Sequence, residues 1–391
     1  MIASSDRNFR KRATSFEVHD LSLIIGDLSE GGAQRVVCNL ASAWVRTGRR
    51  VAVVTLAGPQ RDFFQLDPGV TRIALDVAGR SAGPVSGLHA NLRRVRALRQ
   101  VLRQIAAPVA VAFAGSTNVL TVLAAWGLGT RLVISERNDP AKQSLGRPWN
   151  FLRKFLYRRA DLVTANSHAA LDTLSSYVPR ERLAHVPNPV VFPTPLPSRV
   201  VEPLILNVGR LHEQKAQDVL MTAFAEVADE VPGWRLEILG TGGLDTELRK
   251  QITALQLSNR VLMVGQVDPW PHYARAAVFA LPSRFEGTPN SLLEAMSFGI
   301  PPIVSNAAGG ALEYVEHGVN GLVVPVDDAE ALAAAIRELV NDSEFRERLG
   351  LAARDRVAAC SMESALMAWD ATLQLPSVQP WSQEAANNAT T

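Results

Sequence analysis

Val278-Phe-Ala-Leu-Pro-Ser-Arg-Phe-Glu-Gly-Thr-Pro-Asn-Ser-Leu-Leu-Glu294 decides how the chain folds. Residues 278–281 form a short apolar run that reads as a buried strand. A polar loop carrying Glu286 follows it, and Pro289 stops helix formation upstream of Asn290, which is a fair N-cap for a helix beginning there. The first amides of that helix, at Ser291 and Leu292, are expected to lack intrahelical partners, and such amides hold phosphate. Glu286 and Glu294 stand on either side as carboxylates able to accept from vicinal hydroxyls. A strand, a loop with chemistry and a helix make up half of a βαβ unit.

The same order repeats in both directions. Strands are predicted over 21–26, 50–56, 109–113, 131–135, 161–165 and 183–186, with helices over 33–46, 89–105, 118–126, 149–158 and 169–177 between them. Pro189, Pro193, Pro195, Pro197 and Pro203 then interrupt the pattern. Proline lacks an amide donor and fixes φ, so 191–203 reads as a stiff linker rather than a core element. Strands resume over 204–208, 235–239, 261–264, 278–281 and 302–305, with helices over 218–229, 244–255, 291–298 and 329–340. This alternation predicts an α/β chain of two Rossmann-like domains, 20–190 and 204–360, whose parallel sheets face each other across a cleft. A last helix within 361–375 is expected to pack back toward the first domain, and 1–19 and 376–391 read as flexible tails. Ligands of open parallel sheets bind at strand carboxyl ends, so the loops facing the cleft should carry the chemistry.

Composition sets the limits. With 391 residues, 47% hydrophobic and 20% charged, the chain suits two folded domains. A net charge of +2 argues against bulk nucleic-acid binding, although Arg93, Arg94, Arg96, Arg99 and Arg103 concentrate basic charge in the first half. Two cysteines, Cys38 and Cys360, exclude a disulfide framework and fit a reducing compartment. No apolar run is long enough to cross a bilayer, and the polar start has no signal-peptide core, so a cytoplasmic location is expected.

Further motifs fall into place around the opening stretch. Glu286 and Glu294 make a Glu-x7-Glu pair, and Asn207-Val208-Gly209-Arg210-Leu211 followed by Lys215 brings two cations to a strand-end loop. Only five lysines accompany thirty-five arginines, so a lysine at this position is informative. Leu239-Gly240-Thr241-Gly242, Gly309-Gly310-Ala311-Leu312-Glu313, Gly318-Val319-Asn320-Gly321-Leu322 and, in the first half, Gly31-Gly32-Ala33-Gln34-Arg35 add glycine loops that let backbone approach a ligand. Together, in this order, these motifs resemble the retaining glycosyltransferases of family 4 type, which have the GT-B fold.

The resemblance implies transfer of a hexosyl or N-acetylhexosaminyl group from a nucleoside diphosphate sugar to a hydroxyl of a glycan acceptor. Arg210 and Lys215 would hold the diphosphate, Glu286 the transferred sugar and Glu294 the ribose. Gly31, Gly32, Gly209, Gly240, Asn290, Ser291, Leu292, Gly309, Gly310 and Glu313 would complete the donor site. A UDP-sugar is favoured over a GDP-sugar as co-substrate, no further cofactor is implied, and a polyprenyl-diphosphate-linked acceptor in cell-surface polysaccharide synthesis fits the family. No Asp-x-Asp, His-Glu-x-x-His or paired Cys-x-x-Cys occurs, so no metal is expected.

One stretch departs from the family. Where many relatives place a histidine after the strand near 133–135, this chain reads Ser135-Glu136-Arg137-Asn138, so Glu136, Arg137 and Asn138 are acceptor-side candidates instead. Basic amphipathic stretches at 91–105 and 149–159, the second with Trp149, Phe151, Phe155 and Tyr157, suit peripheral contact with an anionic membrane surface. A nicotinamide-dependent oxidoreductase would need Gly-x-Gly-x-x-Gly after the first strand, which residues 26–35 lack. A sugar-nucleotide epimerase or a catalytically silent sugar-nucleotide-binding subunit of the same architecture are the alternatives.

Overall fold

Two wholly parallel sheets organise the chain. The computed structural model describes residues 18–79, 83–192, 200–307 and 310–376. The first sheet contains β1 (Leu21–Ile25), β2 (Val51–Thr55), β3 (Thr71–Ala74), β4 (Val109–Phe113), β5 (Arg131–Glu136), β6 (Leu162–Ala165) and β7 (Leu183–His185), in the order β3-β2-β1-β4-β5-β6-β7. The second contains β8 (Leu204–Val208), β9 (Arg235–Leu239), β10 (Val261–Gly265), β11 (Val278–Leu281), β12 (Pro302–Ser305) and β13 (Leu322–Val324), in the order β10-β9-β8-β11-β12-β13. In each sheet the order reverses beside its first strand, where β1 pairs with both β2 and β4 and β8 with both β9 and β11. Such reversals leave a crevice above the strand ends, which is where ligands settle.

The inner strands are largely apolar because helices cover both faces of each sheet. Ile24, Ala52 and Val54 pack with Leu98 and Leu102 of α2 (Pro84–Ile105), Val119 of α3 (Gly115–Ala125) and Leu156 of α4 (Arg147–Leu156). The alternate residues Leu23, Ile25 and Val53 pack on the other side, against Val37, Leu40 and Trp44 of α1 (Gly32–Arg46). In the second half, α6 (Gln217–Val227) and α7 (Asp245–Ala254) cover one face, and α8 (Trp270–Arg275) and α9 (Asn290–Ser297) the other. The remaining helices are α5 (His168–Ser175), α10 (Ala329–Asn341), α11 (Ser343–Ala358) and α12 (Met362–Leu373).

Helix α12 packs on the first sheet although the second precedes it in the chain. Trp369 meets Trp44 edge-on with ring centroids 6.2 Å apart. Asp370 accepts from Trp44 Nε1 at 2.8 Å and from Arg49 at 2.8 Å. Near the crossing, the Val190 amide donates to the Cys360 carbonyl at 2.8 Å. Both cysteines are buried and unpaired with each other.

Four elements go beyond the sequence reading. β3 is an edge strand, half-buried at every position, so Thr-Arg-Ile-Ala shows no apolar run. β13 is only three residues long. Helix α8 is a six-residue turn rich in polar and aromatic side chains. Helix α11 alternates acid and arginine, burying little beyond Leu349, Ala353 and Val357, and its signal is the Asp342 cap, whose carboxylate accepts from the Phe345 amide at 2.8 Å. Pro193, Pro195, Pro197 and residues 1–17 and 377–391 lie outside the described residues, whereas His19, expected in a flexible tail, is buried with its Nε2 2.9 Å from Thr71 Oγ1.

Candidate functional site

The strand ends of both sheets open onto one cleft of about 630 Å³. The second half contributes Val208, Gly209 and Arg210 after β8, then Gln214 and Lys215, Leu239, Gly240 and Thr241 after β9, and residues 266–269 after β10. The loop after β11 adds Glu286, Gly287, Thr288, Pro289, Asn290 and Ser291, and Glu294 follows from α9. Residues 30–35 after β1, Arg137 and Asn138 after β5, Asn166 after β6 and Asn188 after β7 form the opposite wall. Arg210, Lys215, Glu286 and Glu294, predicted to act together, therefore share one surface.

Lys215 closes a short 3₁₀ turn, Glu213–Lys215, held at its start by the His212 ring accepting from the Gln214 amide at 3.2 Å. Its ammonium lies 2.5 Å from Glu286 Oε1, with only 13% and 8% of the two side chains accessible. The lysine stem runs over Gly209, where a Cβ would lie 3.2 Å from Lys215 Cε. Arg210 is different: it is exposed and makes no ion pair among the described residues. One cation is thus anchored and the other left available.

Glu294 sits one turn into α9 and is buried. Arg35 of α1 reaches across the cleft to its Oε1 at 2.9 Å, and the Tyr273 hydroxyl donates to its Oε2 at 3.1 Å. Burial pushes the Glu294 carboxyl up, with Arg35 and Tyr273 pulling in the opposite direction. Burial likewise pushes the Tyr273 phenol well above its ordinary range.

Asn290 does not cap α9 with its side chain. Pro289 is the cap residue, and no side chain bonds there. Asn290 instead donates to the Gly32 carbonyl at 3.0 Å and accepts from Asn188 at 2.6 Å. The Leu292 amide, expected free, donates to the Pro289 carbonyl at 3.1 Å, and its side chain is core. The open amides at this helix start are therefore those of Asn290 and Ser291, which have no acceptor among the described residues.

Two glycines are required by geometry. Gly240 holds φ +133°, and a Cβ there would stand 2.1 Å from the Gly209 carbonyl oxygen. A Cβ on Gly287 would stand 2.6 Å from the Arg137 carbonyl oxygen, so the Glu286 loop crosses the backbone of the other half at close range. Gly31 and Gly32 line the facing wall, as predicted for them.

Besides Leu292, three predicted residues lie elsewhere. Glu136 is buried beneath the wall, where it accepts from the Tyr157 hydroxyl and from Asn118 at 3.4 Å, and burial pushes its carboxyl up. Glu313 faces the first domain outside the cleft lining, accepting from the His168 amide at 2.6 Å. Gly310 supports the cleft from behind, with a Cβ position 2.7 Å from the Gly287 carbonyl oxygen, and Gly309 lies outside the described residues. Arg137 does line the cleft but is 6% exposed, donating to Asn188 and, at 3.3 Å, to Ser135 Oγ. Burial pushes its guanidinium down to about 10.

Sequence reasoning missed Arg35, Tyr273, Asn166 and Asn188 as site groups. Arg35 follows the glycine loop, but its partner is 259 positions away at Glu294, so no local signal names it. Asn188 stands between Pro187 and Pro189 just after the last predicted strand of the first domain, where a polar amide isolated between prolines is itself unusual.

Comparison with known proteins agrees with the two-domain fold. Residues 194–356 match the family Glycosyl transferases group 1, and residues 31–189 match the Glycosyl transferase 4-like domain. The Campylobacter jejuni GalNAc-α-(1→4)-GalNAc-α-(1→3)-diNAcBac-PP-undecaprenol α-1,4-N-acetyl-D-galactosaminyltransferase is 28% identical over 342 residues, 86% of this chain and 93% of its own. The Rhizobium meliloti lipopolysaccharide core biosynthesis glycosyltransferase LpsE is 34% identical over 179 residues, 46% of this chain and 51% of its own. Among solved structures, Anabaena HepE in complex with UDP-glucose superposes with a TM-score of 0.73 at 21% identity, covering 91% of this chain and 100% of that one. With two parallel-sheet domains, a shared cleft and both halves matched, the chain belongs to the group 1 glycosyltransferases of GT-B fold.

Proposed function

We propose that this glycosyltransferase moves a hexosyl or N-acetylhexosaminyl group from a nucleoside diphosphate sugar, UDP-linked in preference to GDP-linked, to a hydroxyl of a polyprenyl-diphosphate-linked glycan, with retention and without a catalytic metal. The observation that carries this reading is the single surface formed by Arg210, the Lys215–Glu286 pair, Glu294 and the open amides of Asn290 and Ser291. A diphosphate is bivalent and anionic, and two cations with helix-start amides match it. Glu286 and Glu294 flank that spot and offer acceptors to hydroxyls of the transferred sugar and the ribose. The UDP preference and the lipid-linked acceptor follow what HepE binds and what the Campylobacter relative's name states.

In the proposed reaction the bond between the anomeric carbon and the phosphate oxygen breaks, and its electron pair stays on the departing diphosphate. The acceptor oxygen bonds to the same face of the anomeric carbon, and its proton passes to the departing phosphate oxygen. Arg210 and Lys215 meet the charge that develops on the leaving group, a stabilisation available before the reaction starts.

We place the enzyme at an anionic membrane surface on the cytoplasmic side. No helix among the described residues is long and apolar enough to cross a membrane. Helix α4 buries Arg153 and, just beyond its end, Tyr157, while Phe151 (71% exposed), Phe155 (53%) and the nearby Trp126 (50%) stay outside the core. Arg159 lies over Trp126 at 4.3 Å and over Phe155 at 5.8 Å, which joins these aromatics into one strip with cationic edges. Aromatic rings with flanking cations suit the headgroup region.

A thermal-shift panel of UDP, GDP and their sugars tests the donor, because ligands that bind only the native state raise its melting temperature. Stabilisation by UDP-sugars with product formed only when acceptor is added supports the reading. Sugar interconversion without acceptor would make the protein an epimerase, binding without turnover a silent subunit, and no shift with any nucleotide removes the donor site.

A further inference from the structure

His168, His185 and Glu313 meet outside the catalytic cleft, where the two domains touch. His168 opens α5, His185 ends β7, and Glu313 comes from the loop after β12. Each offers one ligand atom, and the three atoms lie within 4.8 Å of one another. His168 Nδ1 is 3.0 Å and His185 Nε2 3.7 Å from the same oxygen, Glu313 Oε2. The imidazole rings lie side by side with centroids 4.2 Å apart. Glu313 Oε1 is occupied by the His168 amide at 2.6 Å, which fixes the carboxylate and leaves Oε2 turned to the two rings. His185 Nε2 is buried and makes no hydrogen bond, and Glu313 Oε2 lies 3.7 Å from it.

We propose that these three side chains form a binding site for a divalent transition metal ion of the zinc type, tying the first domain to the second. Two imidazoles and a carboxylate are a fitting donor set for such an ion, with one position left for water. Metal–ligand bonds of about 2.0–2.2 Å in a tetrahedron put ligand atoms about 3.3–3.5 Å apart. The separations of 3.0 and 3.7 Å to Glu313 Oε2 bracket that value, and the two imidazole nitrogens lie within 4.8 Å of each other, so side-chain rotation brings the set to it. A bound ion would also satisfy His185 Nε2, which the protein alone leaves unpaired. The ligands are spread over 145 residues, which is why no metal-binding motif appears in the sequence. None of the three lines the donor cleft, so the site stands apart from glycosyl transfer and does not depend on the donor reading.

The test is isothermal titration of the tag-free, chelator-treated chain with Zn²⁺, paired with melting curves. One equivalent should bind, and saturation should raise the melting temperature by about 2–4 °C or more, because the ion binds only where both domains are in place. His168→Ala, whose side chain is 69% accessible and whose loss leaves the fold intact, should weaken the binding at least tenfold and abolish the melting shift. Glu313→Gln, which keeps an acceptor for the His168 amide, should do the same. The proposal is overturned if no stoichiometric Zn²⁺ binds, or if binding and shift persist in His168→Ala with unchanged affinity.

Discussion

Removing either cation of the cleft should slow transfer to a similar extent and affect the fold very unequally. Arg210 is exposed and unpaired among the described residues, so Arg210→Ala should change stability by no more than about 0.5 kcal/mol. Lys215→Ala strips the partner 2.5 Å from Glu286, a carboxylate with 8% of its side chain accessible. What remains near it is Gln214 Nε2 at 3.5 Å, a poor substitute for a cation. Breaking a fully buried pair costs about 3–5 kcal/mol. The cleft admits water and Lys215 keeps 13% accessibility, so about 2–3 kcal/mol is the appropriate figure here. For a half of this size that lowers the melting temperature by about 5–10 °C. Each variant also loses one preorganised donor to the leaving group, which corresponds to about 10²–10³ in kcat. Melting curves of the free enzyme and nucleoside diphosphate release in the presence of acceptor measure the two quantities separately. An Arg210→Ala enzyme turning over within about threefold of the parent, or a Lys215→Ala enzyme melting with it, would refute the assignment of these charges.

Gly240→Ala must force a side chain into a left-handed backbone and against the Gly209 carbonyl oxygen 2.1 Å away. A loss of about 2–4 kcal/mol, read by urea denaturation, with weakened UDP binding by calorimetry is expected, since the displaced strand end carries Arg210. The double change Phe151→Ser with Phe155→Ser should reduce flotation with anionic vesicles severalfold while leaving the melting temperature unchanged, because both rings are already outside the core. Glu136→Gln tests the buried carboxyl. Its pKa is raised above an unfolded value near 4.5, so the native state binds the extra proton. That contribution to stability is complete below 4.5 and is lost as pH rises through the folded value. The parent should therefore lose stability relative to Glu136→Gln as pH climbs from 4.5, and identical pH–stability curves would exclude a raised pKa at this position.

Most of the architecture was legible because parallel strands covered on both faces write themselves as apolar runs, as in Leu-Ser-Leu-Ile-Ile of β1 and Val-Phe-Ala-Leu of β11. What escaped was whatever one face or one end of the chain does not determine. Edge strand β3 is polar because only β2 pairs with it, and α11 reads as surface because its partners come from elsewhere in the fold. In the site, residues within one strand-end loop were found and their cross-cleft partners were not. Glu294 is visible from its spacing to Glu286, yet nothing near either residue predicts Arg35 or Tyr273. Glu136 looked available because it follows a strand, but β5 continues to Glu136 and turns its carboxylate inward to Tyr157. Glu313 is implied only by the family resemblance of Gly309-Gly310-Ala311-Leu312-Glu313, and the loop carries it away to His168.

The domains are joined across the cleft mainly by polar contacts. Arg35 meets Glu294, Asn290 meets the Gly32 carbonyl, Asn188 donates to the Thr288 carbonyl at 3.1 Å, and Thr241 Oγ1 donates to Glu30 at 3.1 Å. The large apolar clusters lie on one sheet or the other, with α12 belonging to the first. Each such polar contact contributes only about 0.5–1.5 kcal/mol net, and a ligand hydroxyl at the cleft wall can replace either partner. Sugar and ribose hydroxyls are donors of the kind that Arg35 now supplies to Glu294, and a diphosphate supplies Lys215 with the negative charge that Glu286 now gives it. On the proposed donor reading, binding exchanges contacts of one kind for contacts of the same kind. An apolar seam of equal extent would have to be torn open at about 25 cal/mol for each Å² exposed, which a ligand of this size could not offset.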